Sequence, residues 1–140
     1  MTPQNRREKE RKSDAKNQIN MEDIKRENHI IDATDKVLGR LAAEVAVLLR
    51  GKNKSGFAPY KDMGDFVTIK NIDKLIFTGK KFENKIYYRH TLYLGGLKKT
   101  TMKEMYNKKG PSEIFRKAVM GMLTKNKLRA KQIKRLKFEL

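Results

Sequence analysis

The sequence contains 140 residues, of which 34 are Lys or Arg and 16 are Asp or Glu, so its formal net charge is +18. This length corresponds to one domain with a tail, and such a charge predicts an anionic polymer as partner. The absence of cysteine excludes a disulfide scaffold, and the absence of a long apolar run excludes a membrane-spanning protein. With only two histidines, we expect neither a bound metal nor a cofactor.

The first 28 residues differ in composition from the rest of the chain. They carry eight Lys or Arg and six Asp or Glu but few apolar side chains. They cannot bury enough apolar surface to offset the entropy lost on ordering. We therefore predict that residues 1–28 are a charged extension, disordered or ordered by partners, with a solvated helix as the alternative. Residues 29–140 are predicted to form the folded domain.

The folded part opens with a predicted strand, turn and helix. Residues 30–33 form a short apolar run, and either Thr34 or Asp35 is expected to cap the helix that follows. Apolar side chains at helical spacing over residues 37–49 predict about four turns, ended by Gly51. This order is typical of the start of a βαβ unit.

Four further apolar runs are expected to form strands. They cover residues 66–69, 75–78, 86–88 and 136–140, and the first is rich in β-branched and aromatic residues. Because predicted strands and helices are interspersed, we expect an α/β fold with a mainly parallel sheet.

Two helical segments are predicted between these strands. Thr101 and Glu104 have the spacing of a capping box and begin the first segment. Residues 107–111 predict a turn that includes a proline. An apolar face over residues 114–123 predicts a second helical segment.

The sequence offers little support for catalysis or for nucleotide binding. Residues 33–39 contain one glycine where a dinucleotide fingerprint needs three, and no serine lies in a nucleophile elbow. Asp62 and Asp65 could hold a metal ion in a nucleic-acid-processing enzyme. The alternative is that they belong to a polar loop entering a strand, with Asp65 either capping or pairing with Lys or Arg, and we predict that the protein is not an enzyme.

The excess positive charge lies in the second half of the chain. Residues 79–140 carry 18 Lys or Arg against four Asp or Glu, a net charge of +14. Residues 78–81 form a basic turn suited to a phosphate, and residues 87–99 interleave tyrosines with cations that could stack on bases and hold phosphates. Residues 124–137 contain seven cations and no acid. Binding to a polyanion is favoured there over a solvated face or an anionic membrane surface.

These motifs, taken in order, resemble the bacterial-type ribosomal protein L13 family of the large ribosomal subunit. The resemblance covers about residues 29–138, and residues 124–130 depart from the family pattern, which has prolines and glycines there. The motifs that carry it include Ile31-Asp32-Ala33-Thr34, Leu38-Gly39-Arg40-Leu41-Ala42, Thr78-Gly79-Lys80-Lys81, Gly95-Gly96-Leu97-Lys98 and Gly121-Met122-Leu123.

The resemblance implies a three-layer α/β/α domain with a four-stranded, mainly parallel sheet. It also implies a structural constituent of the cytoplasmic large (50S) subunit that binds 23S-type rRNA, contacts neighbouring ribosomal proteins and supports early subunit assembly. A small-molecule substrate, a membrane partner and a homo-oligomer are not expected. The predicted rRNA contacts are Arg40, Lys52, Lys54, Thr78, Gly79, Lys80, Lys81, Arg89, His90, Gly95, Gly96, Lys98, Lys99, Lys125, Lys127, Arg129, Lys131, Lys134 and Arg135.

Overall fold

The computed structural model describes residues 25–139, so most of the predicted N-terminal extension lies outside the described residues. The elements in chain order are β1 (Asn28–Asp32), α1 (Leu38–Arg50), β2 (Phe66–Lys70), a 3₁₀ turn (Ile72–Lys74), α2 (Lys81–Asn84), β3 (Ile86–His90), β4 (Leu97–Thr101), α3 (Met102–Met122), α4 (Arg129–Ile133) and β5 (Leu136–Phe138).

The folded part begins slightly earlier than the sequence predicts. The N–H of Phe66 donates to the carbonyl of Glu27 at 2.9 Å, and the N–H of Glu27 donates to the Asp65 carboxylate at 3.0 Å. Strand β1 then starts at Asn28. These bonds place residues 27 and 28 inside the domain rather than in the extension.

The main sheet consists of three parallel strands in the order β1-β2-β5. The mixed α/β class with a parallel sheet is therefore confirmed, but the predicted number of four strands is wrong. The apolar run at residues 75–78 makes only a single parallel bridge, between Val37 and Ile76. Asn71 directly follows β2, adopts a left-handed conformation with φ of 53° and is the N-cap residue of the 3₁₀ turn, which separates β2 from this run.

Helix α1 follows the predicted apolar spacing, although its N-terminus differs from the prediction. Val37 is the N-cap residue and supplies no side-chain cap, so the expected capping by Thr34 or Asp35 is wrong. Asp32 stabilises the preceding turn instead, because its carboxylate accepts hydrogen bonds from the Thr34 N–H and the Asn71 side chain. These bonds lower the pKa of Asp32 to about 2.

The C-terminus of α1 packs closely against the loop at residues 52–65, which we call the central loop. Gly51 ends the helix with φ of 72°, as predicted, and a Cβ at this position would lie 2.5 Å from the carbonyl oxygen of Met63. Both the backbone conformation and the close approach therefore require glycine here.

One hydrophobic core joins the sheet to the two long helices. Val67 and Ile69 of β2 are fully buried and pack with Leu41 of α1 and with Phe115 and Val119 of α3. On the opposite face of the sheet, alternate side chains point away from this core, as period-two alternation requires.

Helix α3 contributes to two cores because it is kinked. The predicted capping box is present: Thr101 Oγ1 accepts from the Glu104 N–H, and the Glu104 carboxylate accepts from the Thr101 N–H. The predicted turn is a kink at Gly110, where φ is 77°, followed by Pro111. Residues before and just after the kink form a second cluster of Met102, Met105 and Ile114.

Strands β3 and β4 form a separate antiparallel hairpin that pairs Tyr88 with Lys99. The sequence predicts β3 but not β4, since the segment Leu-Lys-Lys-Thr-Thr lacks a clear apolar alternation. No helix among residues 25–139 combines the length and apolar character that a membrane span requires.

Candidate nucleic-acid interface

Two neighbouring cavities lie where α2 and the β3–β4 hairpin meet α3. The first has a volume of about 560 Å³ and also reaches the start of α1. The second has a volume of about 260 Å³ and lies between β3, β4 and the kinked part of α3. Lys117 of α3 lines both cavities, so they form one continuous surface, which we call the two-cavity surface.

This surface is strongly cationic. None of the described residues that line either cavity is acidic. A concave surface with charges of one sign concentrates the field and attracts a polyanion. Its seven cationic side chains are Arg40, Lys81, Lys85, Arg89, Lys108, Lys109 and Lys117.

Tyr87 positions two of these cations. The ammonium groups of Lys85 and Lys117 lie 5.5 and 5.0 Å from the centre of its ring, within the range of cation–π contacts. Burial raises the pKa of the Tyr87 hydroxyl, so the ring remains neutral at physiological pH. The two lysines are thus held at the boundary between the cavities.

The predicted basic turn contributes to the first cavity. Gly79 has φ of 64°, and the turn leads through Lys80, the N-cap residue of α2, into the helix. Thr78 and Lys81 line the cavity together with Arg40 from α1. The structure therefore brings these three predicted contacts together, although almost 40 residues separate them in sequence.

The glycine pair predicted as a contact shapes the tip of the hairpin. The N–H of Thr91 donates to the Gly96 carbonyl at 3.0 Å, and a Cβ on Gly96 would lie 2.1 Å from Thr91 Oγ1. The N–H of Leu92 donates to His90 Nδ1 at 2.9 Å. The Nδ1 atom of His90 is therefore used within the loop, and Nε2 is the ring nitrogen that remains for the predicted contact with RNA.

Three side chains at the hairpin tip are almost fully exposed. Leu92, Tyr93 and Leu94 have relative exposures of 92%, 79% and 106%. Leu92 also has a positive φ of 70°, which costs free energy in a residue with a Cβ. Hydrogen bonds from the Leu92 N–H to His90 and from the Thr91 N–H to Gly96 stabilise this apolar tip.

Two predicted RNA contacts are instead engaged inside the protein. Lys54 pairs with the carboxylate of Asp65, which is fully buried. Arg135 is only 6% exposed, and its guanidinium binds Asp62 and the carbonyl of Leu49. Both cations therefore form ion pairs within the folded protein.

The same pairs determine the role of the two aspartates. Burial opposes ionisation of Asp65, but hydrogen bonds from Lys54, the Glu27 N–H and His29 outweigh it and lower the pKa. Burial also opposes ionisation of Asp62, and hydrogen bonds from Arg135 again reverse the effect and lower its pKa. Of the two roles predicted for Asp65, capping or pairing with Lys or Arg, pairing is confirmed, and the pairing of Asp62 with Arg135 was not predicted.

The hypothesis of a metal site at these aspartates gains no support from the geometry. Asp62 and Asp65 are directed to different cations, Arg135 and Lys54. Among residues 25–139, no three His, Asp or Glu side chains come together in an arrangement that could hold a metal ion.

The basic C-terminal segment is mostly not helical. Only residues 129–133 form a short helix, and Arg129 is half-buried with its N–H bonded to Asn126. Apart from Arg135, the remaining cations of the segment are exposed and line neither cavity: Lys125, Lys127, Lys131, Lys134 and Lys137. Three other predicted contacts, Lys52, Lys98 and Lys99, are likewise exposed without lining either cavity.

Four cations of the two-cavity surface were not singled out by the sequence. Lys85 follows α2, and the other three, Lys108, Lys109 and Lys117, lie on α3. The sequence signal was the +14 charge of residues 79–140, but this sum does not say which lysines share a surface. That arrangement depends on tertiary packing, because Lys108 and Lys109 precede the kink at Gly110 and Lys117 follows it, yet all three line the same cavity.

Comparison with known proteins adds a family match over nearly the whole described part. The family model described as Ribosomal protein L13 matches residues 26–138. The Large ribosomal subunit protein uL13 of Desulfotalea psychrophila is 50% identical over 115 residues, which is 82% of this chain and 80% of the relative. The proteins of the same name from Kocuria rhizophila and Clostridioides difficile are 53% and 48% identical, each over 82% of this chain and over 78% and 80% of the relative.

Proposed function

Because the chain belongs to the ribosomal protein L13 family, we propose that it is a structural, non-enzymatic constituent of the large ribosomal subunit in the cytoplasm. We further propose that it binds the 23S-type rRNA of that subunit through the two-cavity surface. The observation that carries this proposal is the convergence of seven Lys and Arg side chains on two adjoining cavities with acid-free linings.

The physical basis of binding is charge neutralisation. Each lysine or arginine that contacts a phosphate releases condensed counterions, and the gain in entropy favours association. The cations of the two-cavity surface come from three helices and a hairpin whose relative positions are set by buried clusters. Such a rigid surface selects RNA helices by the spacing of their phosphates rather than by base sequence.

The exposed residues outside the cavities extend this surface. Lys125, Lys127, Lys131 and Lys134 lie in a segment with no acid and supply further phosphate contacts. The apolar tip of the hairpin at residues 92–94 is suited to an adjacent ribosomal protein, because an exposed apolar patch gains most when a partner covers it. Lys54 and Arg135 are left out of the proposed contacts because each is paired internally.

Early binding during subunit assembly follows from the same features. A protein that folds around its own core and binds RNA mainly through shape and charge needs no other protein to be in place first. It can therefore hold two RNA helices together while later components bind, which supports a role at an early assembly step.

Salt-dependent binding to in vitro transcribed 23S-type rRNA tests the proposal. In a variant with Lys85, Lys108 and Lys117 changed to Ala, we expect affinity to fall and the slope of log K against log salt to decrease by about three, one for each lost contact. The matched control replaces Lys61, Lys70 and Lys74 with Ala, since these exposed lysines line neither cavity. Equal losses in both variants, or no binding by the parent protein, would overturn the proposal.

A further inference from the structure

The first cavity combines an apolar floor with a cationic rim. Phe77, Met102 and Met122 are among the apolar residues that line it. Phe77 also packs against two further aromatic rings, with centroid distances of 5.5 Å to Phe82 and 6.3 Å to Tyr106. An aromatic cluster therefore supports the floor of the cavity.

The rim supplies the charge that such a floor lacks. Arg40, Lys81, Lys85 and Lys117 line the same cavity, and the first turn of α1, which forms one wall, contains no acidic residue. An occupant must therefore present a flat, weakly polar part to the floor and an anionic part to the rim. A volume of about 560 Å³ falls within the range of sites that enclose one small ligand.

Two glycines leave space in the cavity, although neither backbone conformation nor close packing requires glycine at these positions. Gly39 in α1 and Gly121 in α3 line it, neither has a positive φ, and a Cβ on either would meet no atom within 4 Å. Glycine inside a helix destabilises it relative to alanine. The absence of side chains at both positions is thus unexplained by backbone strain or by packing, and its structural effect is to leave space for an occupant.

We infer that this cavity receives a single unstacked nucleotide of the large-subunit rRNA, with its base on the apolar floor and its phosphate at the cationic rim. The inference rests on the proposed rRNA binding and adds a specific mode of contact to it. Proteins recognise single-stranded loops and bulges of RNA by stacking such splayed bases on aromatic side chains while cations hold the backbone. To the second cavity, which has about half the volume, we assign phosphate contacts alone.

Filling the cavity tests the inference without removing a charge. The variant Gly121→Phe places a side chain in the open space and leaves all four cations in place, and the matched control Met120→Phe adds bulk at the adjacent exposed residue that does not line the cavity. We expect Gly121→Phe to weaken binding to in vitro transcribed 23S-type rRNA about tenfold, the loss expected for one stacked base. The salt slope should change by no more than about one, since all four cations remain and at most the phosphate of the displaced nucleotide is lost.

Chemical probing of the bound RNA locates the effect. With the parent and Met120→Phe, one unpaired base should be protected on its Watson–Crick edge, and Gly121→Phe should expose it. Thermal unfolding should show Gly121→Phe to be at least as stable as the parent. Parent-like affinity and protection in Gly121→Phe would overturn the inference while leaving rRNA binding intact. An equal loss in Met120→Phe would also overturn it, as would tight binding of free nucleoside monophosphate that Gly121→Phe abolishes.

Failure of the parent protein to bind rRNA at all would overturn the proposed function itself, which distinguishes the two failures.

Discussion

The guanidinium of Arg135 binds the carboxylate of Asp62 in a bidentate pair, with Nη1 2.7 Å from Oδ2 and Nη2 2.6 Å from Oδ1. Nη2 also lies 3.2 Å from the carbonyl oxygen of Leu49 in the last turn of α1. One side chain at the start of β5 thus joins the central loop to the end of α1. This geometry uses the planar fork of arginine, which a lysine could not reproduce.

Loss of this pair should destabilise the fold rather than weaken RNA binding directly. We expect Arg135→Met to reduce the free energy of unfolding by about 3 kcal/mol in urea titrations, because it leaves a partly buried carboxylate with the more distant Arg26, at 3.8 Å, as its remaining cation. The double variant Arg135→Met with Asp62→Leu should recover part of this loss. If the folded single variant shows a smaller salt slope for rRNA binding, Arg135 contacts phosphate and the assignment of a purely internal role is wrong.

Gly64 should tolerate no side chain. A Cβ there would lie 1.8 Å from the carbonyl oxygen of Leu49 and 2.7 Å from Arg135 Nη2, so the backbone must move and the pair with Asp62 must shift. We expect Gly64→Ala to lower the free energy of unfolding by about 2 kcal/mol or more. Gly39→Ala is the control, since its Cβ meets nothing within 4 Å; similar stability of the two variants would contradict the described packing.

The capping box of α3 should contribute measurably to stability. Thr101→Ala removes the side-chain acceptor for the Glu104 N–H, and we expect a loss of about 1 kcal/mol in the free energy of unfolding. Glu104→Gln retains an acceptor for the Thr101 N–H and should cost much less. A loss in Thr101→Ala no larger than that in Glu104→Gln, measured by thermal or urea unfolding, would contradict the assigned contribution of the Thr101 acceptor.

Stability should fall at acid pH through the aspartates. The pKa values of Asp32, Asp62 and Asp65 are all lowered from the ordinary value of 3.8, so the folded state binds protons less readily than the unfolded chain. Their contribution is complete above that value and is lost as pH falls through it toward the lower folded pKa values. We expect urea unfolding free energies to be unaffected by these groups between pH 5 and 8 and to decrease below about pH 4.

The control for this pH dependence is Asp32→Asn, which should show a smaller decrease because one of the shifted carboxyls is gone. An identical acid profile in the variant would remove Asp32 from the explanation.

Local sequence signals predicted the elements whose causes are themselves local. The apolar spacing of α1, its end at Gly51, the capping box at Thr101 and the turn at Gly110 all depend on residues within a few positions of one another. The count of four strands was implied by the family resemblance, whereas the apolar run at residues 75–78 forms only a single bridge. The 3₁₀ turn that follows the left-handed residue Asn71 separates this run from β2, and the sequence did not predict that turn.

The candidate site also combines features that local motifs predict with features that depend on residues far apart in sequence. The basic turn and the glycine pair were visible as motifs, and the net charge directed attention to residues 79–140, although the two-cavity surface also includes Arg40. Spacing could not reveal that Arg135 turns inward, because its partner Asp62 lies 73 residues away. Nor could it assign Lys117 to both cavities, since that requires knowledge of how α3 packs against the hairpin.

Sedimentation of the full chain tests the central claim, incorporation into the large ribosomal subunit, most directly. Lysate from cells that produce a tagged form is separated on a sucrose gradient at physiological salt, and each fraction is assayed for the tag. The account predicts that the protein migrates with 50S and 70S particles, and that the variant lacking Lys85, Lys108 and Lys117 is depleted from them. A parent protein that remains at the top of the gradient, free of 50S particles, would contradict the account.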